Sequence, residues 1–344
     1  GQLEIHDFGR ETCEAHGTKF MNAGRWEEWQ DYRSVWKDAV FCYGNPRCTS
    51  FSSYSAGARS HARGPFAAPT QDIWDLVEFG LQNRLDVISF ESVQQAYTVG
   101  HELIKILVEK CSERDYRVAH LFVNTAAEGN AQKRRRYFFV AYKDDRNFNV
   151  MIPRLPEYRT TCGDVLKKFM NRKTHEGKFS GKDFSYDADS YKRLNDRDRA
   201  MIPHLQEGEG YTKFAKLRPD ELRQVSEYHY DKWIYRTSGL PFSLHAPTRP
   251  RWDGHCPTIC STSRNLIHPH LDRPLTVGEI AALMGWPEGF IPVGPQPVGQ
   301  IGKGVVPVTA TWLGEQIKLY LKNFWKNDDF ESTYKKGQWV GEHF

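Results

Sequence analysis

The 344-residue chain contains no run approaching the ~18 consecutive apolar residues that span a bilayer, and its first residues lack the charged, then apolar, then small pattern of a secretion signal. A globular protein with no membrane partner and a cytoplasmic location is therefore expected. Also missing is a disulfide framework. Seven cysteines, at 13, 42, 48, 111, 162, 256 and 260, are odd in number and irregularly spaced, which reads as free thiols. Cys256 and Cys260 form a CxxxC, but no second ligand pair accompanies them, so no metal is expected and two buried thiols are the simpler reading. Charge of one sign is scarce in the sum. Lys plus Arg number 47 against 43 Asp plus Glu, a net +4 that does not announce nucleic acid. What the chain does have is 39% hydrophobic residues, enough at this length for one large domain and a smaller one.

Chemistry-bearing residues fall at the ends of apolar runs. Ala39-Val40-Phe41-Cys42-Tyr43 leads through a Gly44-Asn45 turn into Pro46-Arg47-Cys48-Thr49-Ser50-Phe51-Ser52, a strand that ends by presenting a cysteine. A lone thiol becomes a nucleophile only when something lowers its pKa or takes its proton. Candidates follow in order. Val87-Ile88-Ser89-Phe90-Glu91-Ser92-Val93 is a strand delivering the partly desolvated carboxyl of Glu91, which is suited to sharing a proton; the alternative is an N-cap for the next helix. Gln132-Lys133-Arg134-Arg135-Arg136 opens the strand Tyr137-Phe138-Phe139-Val140, and period-two alternation predicts that Arg134 and Arg136 share a face. They would face the thiol or else pair with phosphates or carboxylates elsewhere. Further clusters, Lys167-Lys168 with Arg172-Lys173 and Arg249 with Arg251, could follow a phosphate backbone or be ordinary solvated faces.

Residues 1–150 alternate short apolar runs with amphipathic segments, the pattern of an α/β, doubly wound parallel sheet covered by helices on both faces. The spacing predicts helices over 71–81 and 98–111 and strands at 86–90, 116–124 and 136–142. Residues 151–262 are polar, tyrosine-rich and proline-punctuated, a separate smaller module. Residues 263–344 return to the first domain through a helix over 276–284, opened by a Thr276–Glu279 capping box, and a last helix over 305–322.

In order and rough spacing the set resembles the DNA cytosine-C5 methyltransferases: the proline–cysteine nucleophile, the glutamate strand end, the Gln-x-Arg-x-Arg element, and the two carboxy-terminal segments Arg273-Pro274-Leu275-Thr276-Val277-Gly278-Glu279 and Gly299-Gln300-Ile301-Gly302-Lys303-Gly304-Val305. The resemblance implies a Rossmann-like methyltransferase sheet and S-adenosyl-L-methionine as cofactor. Double-stranded DNA would be the partner, read by a target-recognition domain in the middle module, where Tyr228, Tyr230, Trp233, Tyr235 and Arg236 are candidates. RNA would be the other nucleic acid open to the same chemistry. Cys48 would add to C6 of a flipped-out cytosine, with Glu91 at N3 and Arg136 at O2; Gln132 and Arg134 would brace the loops, with Pro46 and Ser52 in support and 52–64 as a lid. Glu4, ending an early strand, would hold the cofactor ribose, and Glu27 or Glu28 its adenine; Gly302 and Lys303 lie in a segment close to cofactor and base. Three letters depart from the family: Arg47 for proline, Ser92 for asparagine and Lys303 for asparagine. A cation at 303 raises the alternative of carboxy-S-adenosyl-L-methionine and a 5-carboxymethylcytosine product. The first strand and glycine-rich cofactor turn that should precede Glu4 have no counterpart, so a missing amino-terminal segment, a second chain, or a DNA-binding relative without catalysis is also open.

Overall fold

A computed structural model describes residues 2–4, 10–15, 17, 20–22, 26–29, 31, 33–48, 50–51, 65–144, 148, 160–170, 175–179, 182–186, 202–210, 223, 227, 248–261, 266–287, 290, 292 and 297–322. The expected lid at 52–64, Ser52 included, and the aromatic group at 228–236 lie outside them, as do Arg172 and Lys173.

Two compact units share the chain. Unit 1 comprises Gly1–Glu128, Arg135–Pro156 and Val305–Phe344; unit 2 comprises Gly129–Arg134 and Glu157–Gly304. The elements run β1 (Gln2–Glu4), α1 (Arg10–Ala15), β2 (Phe20–Asn22), α2 (Trp26–Trp29), α3 (Arg33–Trp36), β3 (Phe41–Gly44), α4 (Gln71–Gln82), β4 (Val87–Val93), α5 (Gln95–Thr98), α6 (His101–Ser112), β5 (Tyr116–Asn124) and β6 (Arg135–Lys143). Unit 2 then holds α7 (Cys162–Leu166), β7 (His175–Phe179), β8 (Lys182–Tyr186), α8 (Val277–Met284) and α9 (Pro297–Lys303), after which α10 (Pro307–Leu321) belongs to unit 1. The return at Val305 comes later than the one expected at 263, because α8 packs on α7 and α9 within unit 2.

In unit 1 a four-stranded sheet has the order β3-β4-β6-β5, and β1 pairs with β2 in a separate parallel pair. The sheet is mixed where the apolar alternation led us to expect a parallel one. β3 and β4 are parallel, but β6 runs against both β4 and β5. The reason is the β5–β6 connection: residues 125–134 include only a short 3-10 turn, too little for the crossover that parallel neighbours require. On one face Ile88, Phe90, Tyr137 and Phe139 pack under α4 and α6, whose Ile73, Val77, Leu81, Leu103 and Leu107 supply the helical side of the core. On the other, Val87, Phe138 and Val140 meet Trp312, Leu313, Ile317 and Tyr320 of α10. Each large apolar side chain so buried contributes about 1.5–3 kcal/mol relative to exposure. α10 can start where it does because Pro307, lacking an N–H, is tolerated in the first turn. Among the described residues no helix is long and apolar enough to cross a membrane.

Candidate active site

Parallel pairing of β3 with β4 carries both chains out at the same end of the sheet, with Gly44 opposite Phe90. Cys48 follows β3 by four residues, and Glu91 is the residue after Phe90, so topology alone brings the Cys48 thiol and the Glu91 carboxyl toward one carboxyl-terminal edge, where open α/β sheets place their ligands.

The turn bearing Cys48 is held at several points. Before it, Gly44 lies so close to α4 that a Cβ there would stand 2.5 Å from Leu76 Cδ2. Pro46 is buried. Arg47 donates from Nε and Nη2 to the two carboxylate oxygens of Asp72, at 2.7 and 2.9 Å. After the thiol, Phe51 N–H donates to the Cys48 carbonyl at 3.0 Å, and the buried Phe51 ring fills the space beside Gly100. Cys48 itself is half-buried. Elsewhere in unit 1, burial pushes Cys42 and Cys111 up to about 12, which leaves these two thiols protonated.

Glu91 is 2% exposed. It sits opposite Phe138, and Arg136 sits opposite Val93, so the two are diagonal neighbours on one face of the sheet. Arg136 Nε stands 2.6 Å from Glu91 Oε1, an ion contact whose angles fall short of a hydrogen bond. The N-cap alternative for Glu91 does not hold: α5 is preceded by Gln94, and Glu91 is in mid-ladder.

Unit 2 contains the rest of the Gln-x-Arg-x-Arg element, and here the alternation argument fails. β6 begins at Arg135, so Arg134 precedes the strand and is not paired in the ladder. The buried Arg134 donates to the carbonyls of Ile259 at 2.8 Å, Gly302 at 3.2 Å and Gly304 at 3.0 Å. Gln132 accepts from Ile259 N–H at 2.7 Å, and Lys133 N–H bonds the Cys256 carbonyl. A Cβ on Gly302 would fall 2.2 Å from the carbonyl carbon of Cys260, so α9 rests directly on backbone there. Gly302 is thus a packing residue, and Lys303 is exposed at the last position of α9. Cys256 is hydrogen-bonded to Cys162, which with burial raises its thiol well above the usual range, and among the described residues no cluster fit for a metal occurs. Arg249 follows no phosphate chain: buried, it donates to the carbonyls of Ile202, His268, Pro269 and Leu271 and to Asp272. Arg251 is paired with Asp253. The expected capping box is present, with Thr276 and Glu279 bonded reciprocally and Arg273 holding both Glu279 oxygens at 2.8 Å.

For the cofactor residues the backbone gives position only. Glu4 is the last residue of β1, beside the end of the parallel β2, and Glu27 lies in α2; their side chains lie outside the described residues.

A mixed sheet flanked by helices, with a cysteine turn and a buried acid at its carboxyl edge, defines a Rossmann-like methyltransferase fold. A family model for C-5 cytosine-specific DNA methylases matches residues 28–319, and the chain belongs to that family. It is 25% identical over 284 residues to the type II methyltransferase M.DdeI of Desulfomicrobium norvegicum, a match covering 75% of this chain and 66% of that protein, so the chain spans about two thirds of that relative's length. Among solved structures it resembles an E. coli prophage-encoded protein described as a DNA modification methyltransferase (TM-score 0.61, 17% identity, 93% of this chain and 92% of that one). It also resembles the Entamoeba histolytica methyltransferase EhMeth (TM-score 0.56, 12% identity, 94% and 90%). At these identities the structural likeness speaks to fold.

Proposed function

We propose that the chain transfers a methyl group to C5 of a cytosine turned out of duplex DNA. The observation that carries this reading is the arrival of Cys48 and the buried Glu91–Arg136 pair at one sheet edge in a member of this family. Cytosine C6 is a poor electrophile, and C5 a poor nucleophile until a group adds at C6. Cys48 Sγ adds to C6 while Glu91 shares its proton with N3, and Arg136 orients that carboxyl and meets O2. C5, now nucleophilic, takes up a methyl group; its proton then passes to solvent water, the thiolate leaves and the N3 proton returns to Glu91, which restores the aromatic ring. Gln132 and Arg134 act at a distance, by fixing the backbone of 259 and 302–304. Because C5 and C6 are closed off in a stacked duplex, the base must leave the stack.

S-adenosyl-L-methionine would supply an electrophilic methyl group. The residues present fit its ribose, since an acid ending a strand of a parallel pair, as Glu4 does, suits a vicinal diol. Glu27 is the candidate for the adenine. The carboxymethyl alternative rests on Lys303 needing an anion. At the last residue of α9 its charge already meets the negative end of the helix, so ordinary methyl transfer is the better reading. A non-catalytic relative would have no use for a thiol presented at the same end of the sheet as a buried acid. The test is nucleoside mass spectrometry of duplex DNA incubated with the protein and either cofactor. The proposal expects 5-methylcytosine from S-adenosyl-L-methionine; 5-carboxymethylcytosine alone, or methylation at another atom, would overturn it.

A further inference from the structure

The geometry points to the Arg47–Asp72 pair as a positioning device for the nucleophile: we propose that this ion pair, and not backbone rigidity alone, sets where Cys48 stands. The inference rests on the reading of Cys48 as nucleophile. It begins from the sequence, where the residue next to the thiol is an arginine in a place that the family resemblance fills with a rigid proline.

A proline fixes its own φ and needs no partner; an arginine restrains nothing unless its side chain is tied. Here it is tied by two parallel hydrogen bonds, the planar guanidinium matching both oxygens of one carboxylate. Asp72 is a fixed anchor. It lies in the first turn of α4, where an acid meets the positive end of the helix. The approach to that helix is itself pinned, because Thr70 Oγ1 donates to the Pro65 and Ala67 carbonyls and Trp74 Nε1 to Pro65. Gly44 against Leu76 fixes the chain before the turn and Phe51 beside Gly100 fixes it after. Of the residues between, Pro46 is buried, and the side chain of Arg47 reaches back to α4 in a hydrogen bond. The guanidinium is thereby committed to Asp72, which also lifts its own pKa further. Its part is to hold the turn, with the thiol's proton left to other groups.

The side chains are 54% and 30% exposed, so salt reaches the pair. An exposed ion pair adds little to global stability. Misplacing a reacting atom by a fraction of an ångström is much more costly in rate than in stability. The pair should therefore be visible in turnover and nearly silent in melting.

The experiment measures kcat and the KM for duplex DNA, by varying DNA up to saturation at about 50 and 500 mM salt. The proteins compared are native, Arg47→Ala, Asp72→Asn, the double variant, and the charge-exchanged Arg47→Asp/Asp72→Arg. The proposal expects each single variant to lose about tenfold in kcat with KM for DNA nearly unchanged, and the double variant to lose no more than either single one. It expects the exchanged pair to recover most of the loss and the salt dependence of kcat to vanish when the pair is broken. A rise in KM for Arg47→Ala alone, with Asp72→Asn like the native protein, would make Arg47 a phosphate contact and overturn the proposal. Additive losses in the double variant, or unchanged kcat in both single variants, would overturn it too. Since native turnover is measured first, absence of any methyl transfer would count against the proposed function, separately from the role of the pair.

Discussion

Arg134 and Arg136 stand two residues apart in one motif and meet different fates. Arg136 lies in β6 of unit 1 and faces the carboxylate of Glu91; Arg134 lies just before the strand, in unit 2, and is spent on three carbonyls. A guanidinium facing a carboxylate near a sheet edge can serve the proposed chemistry, while one that satisfies buried carbonyls holds a fold together. The residue type is the same; the partner decides.

That contrast can be broken by substitution, beginning on the side proposed to be catalytic. Glu91→Gln is expected to slow methyl transfer by roughly ten- to ten-thousandfold, the range for a lost general acid, with duplex affinity little changed. Single-turnover rates check this, and an unchanged rate would move Glu91 to the scaffold. On the structural side, Arg134→Ala should cost about 3 kcal/mol by leaving buried carbonyls unsatisfied, and Gly302→Ala about 1–3 kcal/mol by forcing a Cβ into the Cys260 backbone. Both would appear as lowered denaturant midpoints; a large drop in turnover with full stability would return these residues to the active site.

A third test concerns the unit-1 core away from the site. Glu128, 4% exposed, accepts a hydrogen bond from Thr309 of α10, and burial raises its carboxyl to about 7. A carboxyl raised in the folded state stays protonated there while the unfolded chain ionises at its ordinary value. Stability should fall as pH climbs from about 4.5 through about 7, by up to about 3 kcal/mol, and level off above. Denaturation of native protein and Glu128→Gln across this window checks the sign: the slope should be absent in the variant. The smallest effect belongs to Lys303→Ala, expected within about 0.5 kcal/mol of native stability and without change in the transferred group. A shift in preference between S-adenosyl-L-methionine and its carboxy form would revive the charged-group reading.

Much of the unit-1 fold was legible because its elements are strongly patterned. The run Val87–Val93 is a strand buried through Ser92, the expected helix over 71–81 spans Gln71–Gln82, and the strand at 116–124 is Tyr116–Asn124. The direction of β6 was not legible, since apolar periodicity carries no sense of direction. Nor was α9: Pro-Val-Gly-Gln-Ile-Gly-Lys has two glycines that lower helix propensity, and its helix depends on the close backbone contact that Gly302 permits. At the candidate site, the order of motifs pointed to Cys48 and Glu91, and the parallel pairing of β3 with β4 carries both toward one edge of the sheet. The Arg134 placement was missed because alternation was extended one residue before the strand begins. The partner of Arg47 was invisible because Asp72 is distant in sequence and joined to it only by the packing of α4 on β3.

The central claim is that Cys48 adds to C6 with Glu91 beside it, and it can be read without any methyl donor. Reversible addition lets C5 take up a solvent proton before the thiolate leaves, so duplex DNA carrying tritium at cytosine C5 should lose label to water. The account predicts release by the native protein, and none by Cys48→Ala, which should still bind the duplex. Release by Cys48→Ala at the native rate, or no release by a native protein that binds duplex DNA, would contradict it.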